Sequence, residues 1–236
     1  LILEIPRIGT INIHFSPLPR HRGYFPVIWS ILEDEKAGVT LHWVNNKIHA
    51  GDIIAQQTIP INSNETAFSL YTKLTKMGIK LFKKYFPQIL SGKAPRIPQN
   101  DSFSSYHPAG YPFQRIINWN ETNEKIDRFI RALTFPGFEP ARTFYYDVEI
   151  SILLPLEFLP DDHDTTYQPG SIVDILPQGI VVKTGNGKML IRKIKIQKSL
   201  AIDATKLVNL FNLTKGDSFR SFENLSSEGK LNLIIP

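Results

Sequence analysis

At Thr143 the hydrophobic period of this chain changes. Phe144, Tyr146, Val148, Ile150 and Ile152 alternate with Thr143, Asp147, Glu149 and Ser151, the two-residue period of a half-buried strand. Further on, S-I-V-D-I-L, a P-Q-G turn, I-V-V-K-T, a G-N-G turn and K-M-L-I-R-K-I-K-I read as a small antiparallel meander. Ahead of Thr143 helical spacing dominates. Residues 66–90 place Phe68, Tyr71, Leu74, Leu81, Tyr85 and Phe86 apart from Lys73, Lys76, Lys80, Lys83 and Lys84, which predicts a long helix with a solvated outer face. No all-α or all-β fold accommodates both patterns. The chain is therefore expected to be α/β with a β-rich C-terminal domain, and 236 residues suffice for two cores.

In chain order, Ile8, Ile11 and Ile13 mark a first strand, followed by a loop punctuated by Pro17 and Pro19. Val27, Ile28, Ile31 and Leu32 have helical spacing after Pro26, a residue suited to a first helical position, and Gly38 is the expected break. Val39, Leu41 and Trp43 predict a strand, and residues 53–60 another. Residues 91–114 read as an ordered surface loop. A helix over 123–134 is capped by Asn120 or Thr122, with Ile126, Phe129, Ile130 and Leu133 on one face. A last short helix falls at 204–211. The expected division is a first domain over 1–115, a connecting helix and turn over 116–141, and the β-rich domain over 142–236.

Composition excludes some classes of function. A hydrophobic content of 42% with 21% charged residues is ordinary for a globular protein, and the apolar runs are too short for a membrane span. No signal peptide is visible, and the absence of cysteine excludes disulfides and thiolate metal sites, so a cytoplasmic location is expected. The net charge of +5 is unevenly spread. From Arg142 onward there are 11 basic and 11 acidic residues, and before it 16 and 11. A C-terminal domain that gripped nucleic acid would carry the excess, because phosphate neutralisation dominates nucleic-acid affinity. Lys193 and Lys195 alternate with isoleucines as on a solvated strand face. The acidic loop around Asp161, Asp162, His163 and Asp164 offers consecutive side chains that point in different directions, so no metal is expected there.

The chemistry-bearing stretch is I-N-I-H-F-S-P-L-P-R-H-R-G, at residues 11–23. Side chains two apart on a strand share a face, so Asn12 and His14 project together from its end. An amide beside an imidazole can stabilise an oxyanion and move a proton. After it come Y-F-P-V-I-W-S-I-L-E-D-E, G-V-T-L-H-W-V and H-A-G-D-I-I-A-Q, and in this order the motifs resemble the formyltransferases that use N10-formyltetrahydrofolate. The resemblance covers residues 11–140 well and the rest more loosely.

That resemblance implies a Rossmann-like catalytic domain followed by the antiparallel β-rich domain. It also implies that the first half of the Rossmann-like sheet is absent from this sequence, which reads as a piece of a longer protein. Asn12 and His14 would be two members of a catalytic triad, and Ser16, Pro17, Leu18, Pro19 and Gly51 would lie along the folate. The third member is usually an aspartate, whose place in I-H-A-G-D is taken by His49, with Asp52 a separate acid nearby. A second imidazole supplies no negative charge, so His49 as a weaker base, Asp52 as a substitute and a weakened or inactive catalyst all stand open.

R-G-Y-F-P-V-I-W is bulkier than the form typical of enzymes acting on tRNA and looks closer to those acting on nucleotide sugars. Arg22, Tyr24, Phe25 and Trp29 are the expected contacts to the acceptor. The expected function is formyl transfer to a nucleotide-linked amino sugar, with no metal, no nucleic-acid partner and a homodimer implied by the resembling enzymes. Methionyl-tRNA formylation is the alternative within the enzyme class, and a non-catalytic binding protein the alternative outside it.

Overall fold

A computed structural model describes residues 3, 5–33, 36–160, 165–197 and 199–221. The acidic loop at 161–164, including His163, lies outside the described residues. Two compact units follow each other, Leu1–Pro112 and Phe113–Pro236. The helix expected to connect two domains folds with the second. No helix among the described residues is long and apolar enough to cross a membrane.

The first unit contains β1 (Ile11–His14), β2 (Arg22–Gly23), α1 (Pro26–Glu33), β3 (Lys36–Trp43), β4 (Ile53–Pro60), α2 (Ala67–Leu90) and β5 (Tyr106–His107). Its main sheet has the order β1-β3-β4 with both pairings antiparallel, and β2 pairs with β5 in parallel as a separate ladder. Asn12 stands opposite His42, and His14 opposite Thr40. Thr40 and His42 alternate in sequence with the apolar Val39, Leu41 and Trp43 of β3. Both are buried, because β3 is the central strand, flanked by β1 and β4, with α1 and α2 packed on it. Gly38 lies inside β3 rather than breaking α1, which ends at Glu33.

α2 begins at a capping box: Ser69 N donates to Thr66 Oγ1 (3.2 Å) and Thr66 N donates to Ser69 Oγ (3.0 Å). Its buried stripe is Ala67, Leu70, Leu74, Gly78, Leu81 and Ile89, while the five lysines are exposed. Each fully buried leucine contributes about 1.5–3 kcal/mol of apolar burial. Phe68, Tyr71 and Phe86, expected on the covered face, are substantially exposed, since the stripe of α2 that is buried is narrower than its apolar face. Gly78 permits the close approach of helix and strand, because a Cβ there would stand 2.9 Å from Ile13 Cγ2. Val39, Leu41, Trp43, Ile54 and Leu81 form the centre of this core.

The second unit holds α3 (Asn123–Ala132), β6 (Arg142–Tyr145), β7 (Val148–Leu159), β8 (Ile172–Leu176), β9 (Gly179–Lys183), β10 (Lys188–Ile196), β11 (Ile202–Asp203) and α4 (Thr205–Phe211). The antiparallel order is β6-β7-β10-β9-β8, with β11 on β10. Thr122 caps α3 by accepting from Lys125 N. The period-two run from Thr143 is not one strand. It turns at Tyr146 (φ 49°) and Asp147 into a hairpin, which buries Thr143 and Tyr145 and leaves Tyr146 72% exposed. The two-residue turn pairs Tyr145 with Val148, so the buried face moves from odd to even positions across it, which alternation alone cannot reveal.

Candidate active site

Four side chains meet beside the central strand of the first unit. His14, the last residue of β1, is buried and its Nε2–H donates to the carbonyl of His21 at 2.8 Å. A carbonyl can only accept, so in the neutral ring Nδ1 is the basic nitrogen. His42, across the ladder from Asn12, donates through Nδ1–H to the Trp43 carbonyl at 2.7 Å and leaves Nε2 as acceptor. Asn12 Nδ2 lies 3.3 Å from that nitrogen and 3.4 Å from His49 Nδ1, so both amide hydrogens point to imidazoles. The His14 and His49 rings stack with centroids 4.0 Å apart and planes 28° from parallel.

The electrostatics follow from crowding imidazoles in a dry place. Burial first, and then His49, lower the His14 pKa to about 3, against the raising effect of its bond to the His21 carbonyl. Burial also lowers His42, opposed by its backbone bond, with the Arg22 charge a smaller cause. His49 is lowered by burial, then by His42 and Arg22. All three are therefore neutral near pH 7.

The backbone around them is pinned from outside the motif. Gln99 Nε2 donates to the carbonyls of His49 (2.9 Å) and Gly51 (2.7 Å), and its Oε1 accepts from Arg22 Nη2 (2.7 Å). Arg22 also pairs with Asp101 at 2.8 Å. Gly51 is obligatory, since a Cβ would fall 1.9 Å from the Trp43 carbonyl oxygen. His49 itself has φ 48°, a conformation that disfavours a side chain and is held by these contacts.

The loop at 16–19 is equally constrained. Ser16 and Leu18 are buried. Thr40 Oγ1 donates to the Ser16 carbonyl (2.7 Å) and accepts from Leu18 N (3.1 Å), while Gln56 Nε2 donates to the Leu18 carbonyl (2.8 Å). Pro17 and Pro19 are half-buried. Among the residues expected to meet the acceptor, Tyr24 is exposed, Phe25 stacks on Tyr111 (4.9 Å, 14°) and Trp29 stacks on His107 (4.0 Å, 8°).

The structure thus gathers Asn12, His14 and His49. Asp52 contributes its carbonyl to Trp43 N (2.9 Å), and no hydrogen bond among the described residues joins its carboxylate to the three. His42 and Gln99 belong to the site and were missed. His42 sits in a strand read only from its alternation, and Gln99 lies in a loop with no motif. The register of β1 on β3 is the signal that would have exposed His42.

Residues 1–85 match the family described as Formyl transferase, and residues 112–212 that described as Formyl transferase, C-terminal domain. The chain is 35% identical over 198 residues to the methionyl-tRNA formyltransferase of Methylacidiphilum infernorum (isolate V4), covering 83% of this chain and 61% of that one. With the methionyl-tRNA formyltransferase of Syntrophus aciditrophicus (strain SB) the identity is 30% over 217 residues, covering 91% and 68%. Among solved structures, the N-formyltransferase from Helicobacter canadensis in complex with folinic acid and dTDP-3-aminofucose is similar at a TM-score of 0.61 and 29% identity, covering 77% of this chain and 65% of that one. The chain spans about three fifths of the first of these relatives. Two matches in one family's own domain order, carried through most of a relative's length, establish that this chain belongs to the formyltransferase family.

Proposed function

We propose that this protein transfers a formyl group from N10-formyltetrahydrofolate to the amine of a nucleotide-linked amino sugar, at a rate weakened by His49. The observation that carries the reading is the convergence of Asn12 and His14 on His49, in the loop where the resemblance implies an aspartate. The folate fits the residues present. A rigid loop with half-buried Pro17 and Pro19, its carbonyls already bonded, offers a flat apolar shelf to a heteroaromatic ring. When bound, the folate supplies the formyl carbon.

The chain's residues divide the remaining tasks. The attacking amine must lose a proton, and His14 Nδ1 is the neutral base for it, held in the right tautomer by the His21 carbonyl. Negative charge builds on the formyl oxygen as the new C–N bond forms. One amide hydrogen of Asn12 meets it, giving up the longer bond to His49, while His42 keeps the amide oriented. The charge is released as the bond from the formyl carbon to N10 of the folate breaks, and His14 passes the proton it holds to N10. An imidazole with a pKa of about 3 takes up a proton poorly, and a carboxylate in place of His49 would raise it. Weak turnover is the consequence.

The acceptor class is supported by the Tyr24, Phe25 and Trp29 surround, and by the sugar bound to the Helicobacter canadensis enzyme. The balanced charge from Arg142 onward does not favour tRNA, although relatives at 35% and 30% identity are methionyl-tRNA formyltransferases by name. The test is formylation of dTDP-linked amino sugars and of methionyl-tRNA side by side, with N10-formyltetrahydrofolate as donor. Slow formylation of a sugar alone is expected. Transfer to tRNA alone would replace the substrate, and failure to bind the folate would leave a non-catalytic family member.

A further inference from the structure

A second cluster of ligating side chains lies apart from the catalytic imidazoles in the same unit. His21 Nδ1 and His107 Nε2 are 2.9 Å apart, and Glu33 Oε2 lies 3.8 Å from the first and 3.9 Å from the second. All three ligand atoms fall within 4.8 Å of one another. His21 is buried with φ 54°, on the loop after β1, His107 ends β5, and Glu33 ends α1.

We propose that His21, His107 and Glu33 form a binding site for a divalent transition-metal ion of the zinc class. Two imidazoles and one carboxylate are a donor set suited to such an ion, with a fourth position left for water. Tetrahedral coordination asks for ligand atoms about 3.3 Å apart, so the two nitrogens open by a few tenths of an ångström. The ion takes the place of the hydrogen shared between the rings. The ring that donated it moves its proton to its other nitrogen, and both imidazoles stay neutral.

Three features prepare the site. Trp29 stacks flat on the His107 ring at 4.0 Å and fixes its plane. The parallel ladder of β2 on β5, with Arg22 N donating to the Ser105 carbonyl (2.9 Å) and Tyr24 N to the His107 carbonyl (3.0 Å), holds the two histidine segments side by side. Glu33 places a carboxylate at the C-terminal end of α1, where the helix dipole disfavours negative charge and no basic residue offsets it in the last turn. A cation there relieves the conflict. Glu33 is partly open to solvent, which gives the ion a route in. Because the His21 carbonyl receives the His14 proton, a metal on His21 would also stiffen the support of the catalytic ring.

The proposal is independent of formyl transfer and is tested by binding alone. The full chain is titrated with Zn2+ against a chromophoric chelator, and with Co2+ for its ligand-field absorption. One equivalent per chain is expected to bind with tetrahedral-type cobalt bands, and H107Q and E33Q should each weaken Zn2+ binding roughly tenfold or more. H49N should bind as the parent does. Glu33 is exposed, so E33Q decides the matter should H107Q fail to fold. Absence of stoichiometric binding, unchanged affinity in E33Q, or loss of binding in H49N would each overturn the assignment, the last by moving the ion to the catalytic imidazoles.

Discussion

The ring of His49 lies over the ring of His14 at 4.0 Å, where a neutral imidazole presses on the group that should take a proton. The contact turns one substitution into an electrostatic change at the base. Burial and His49 together take His14 to a pKa of about 3, against the raising effect of its bond to the His21 carbonyl.

Replacing His49→Asp supplies negative charge there. The carboxylate raises the pKa of His14 toward its ordinary value and can accept an amide hydrogen from Asn12 in place of the imidazole. We expect kcat for the preferred amino sugar to rise about tenfold or more, with an acid limb appearing in the pH–rate profile. Steady-state kinetics on parent and variant check this, and an unchanged kcat would remove His14 from the role of base.

Depressed histidines also make the fold sensitive to acid. His14, His42 and His49 all titrate lower in the folded chain than in the unfolded one. Their contribution to stability is complete above about pH 6.5 and is lost as pH falls toward the folded values, about 3 for His14. His14 alone gives a slope of about 1.4 kcal/mol per pH unit below pH 6. Urea unfolding at pH 7.5 and 5.0 should show the loss, and His14→Gln should shrink it.

Gln99 supports the loop at 49–51 from a distance of 50 residues in sequence. Gln99→Ala leaves the carbonyls of His49 and Gly51 without this donor and Arg22 without one acceptor. We expect a stability loss of about 1–3 kcal/mol and faster amide exchange over residues 49–51. Arg22 retains Asp101, so β2 should keep its protection. Hydrogen exchange followed by mass spectrometry separates the two segments.

Gly51→Ala is expected to cost roughly 2 kcal/mol or more, because its methyl would stand 1.9 Å from the Trp43 carbonyl and backbone must move. Thermal unfolding checks the sign. A neutral outcome would mean that the loop at 49–51 is free to relocate, which would also undo the geometry given to His49.

Periodicity and local chemistry made much of this molecule legible in its sequence. The helix over Ala67–Leu90, the strands at Ile53–Pro60 and Lys188–Ile196, and the pairing of Asn12 with His14 are short-range properties, decided by side-chain spacing and by capping residues a few positions away. His49 stands out in the same way, because I-H-A-G-D resembles a motif that usually carries an aspartate there. Packing decided the rest. His42 joins the site through the register of two strands, Gln99 through a loop 50 residues beyond His49, and His21, Glu33 and His107 meet only because α1 and the short ladder of β2 on β5 bring them together. Tyr146 leaves its predicted face because a tight turn costs less than a longer unpaired strand. Contacts between residues far apart in sequence depend on which faces bury against which, and that choice is made by the whole core at once.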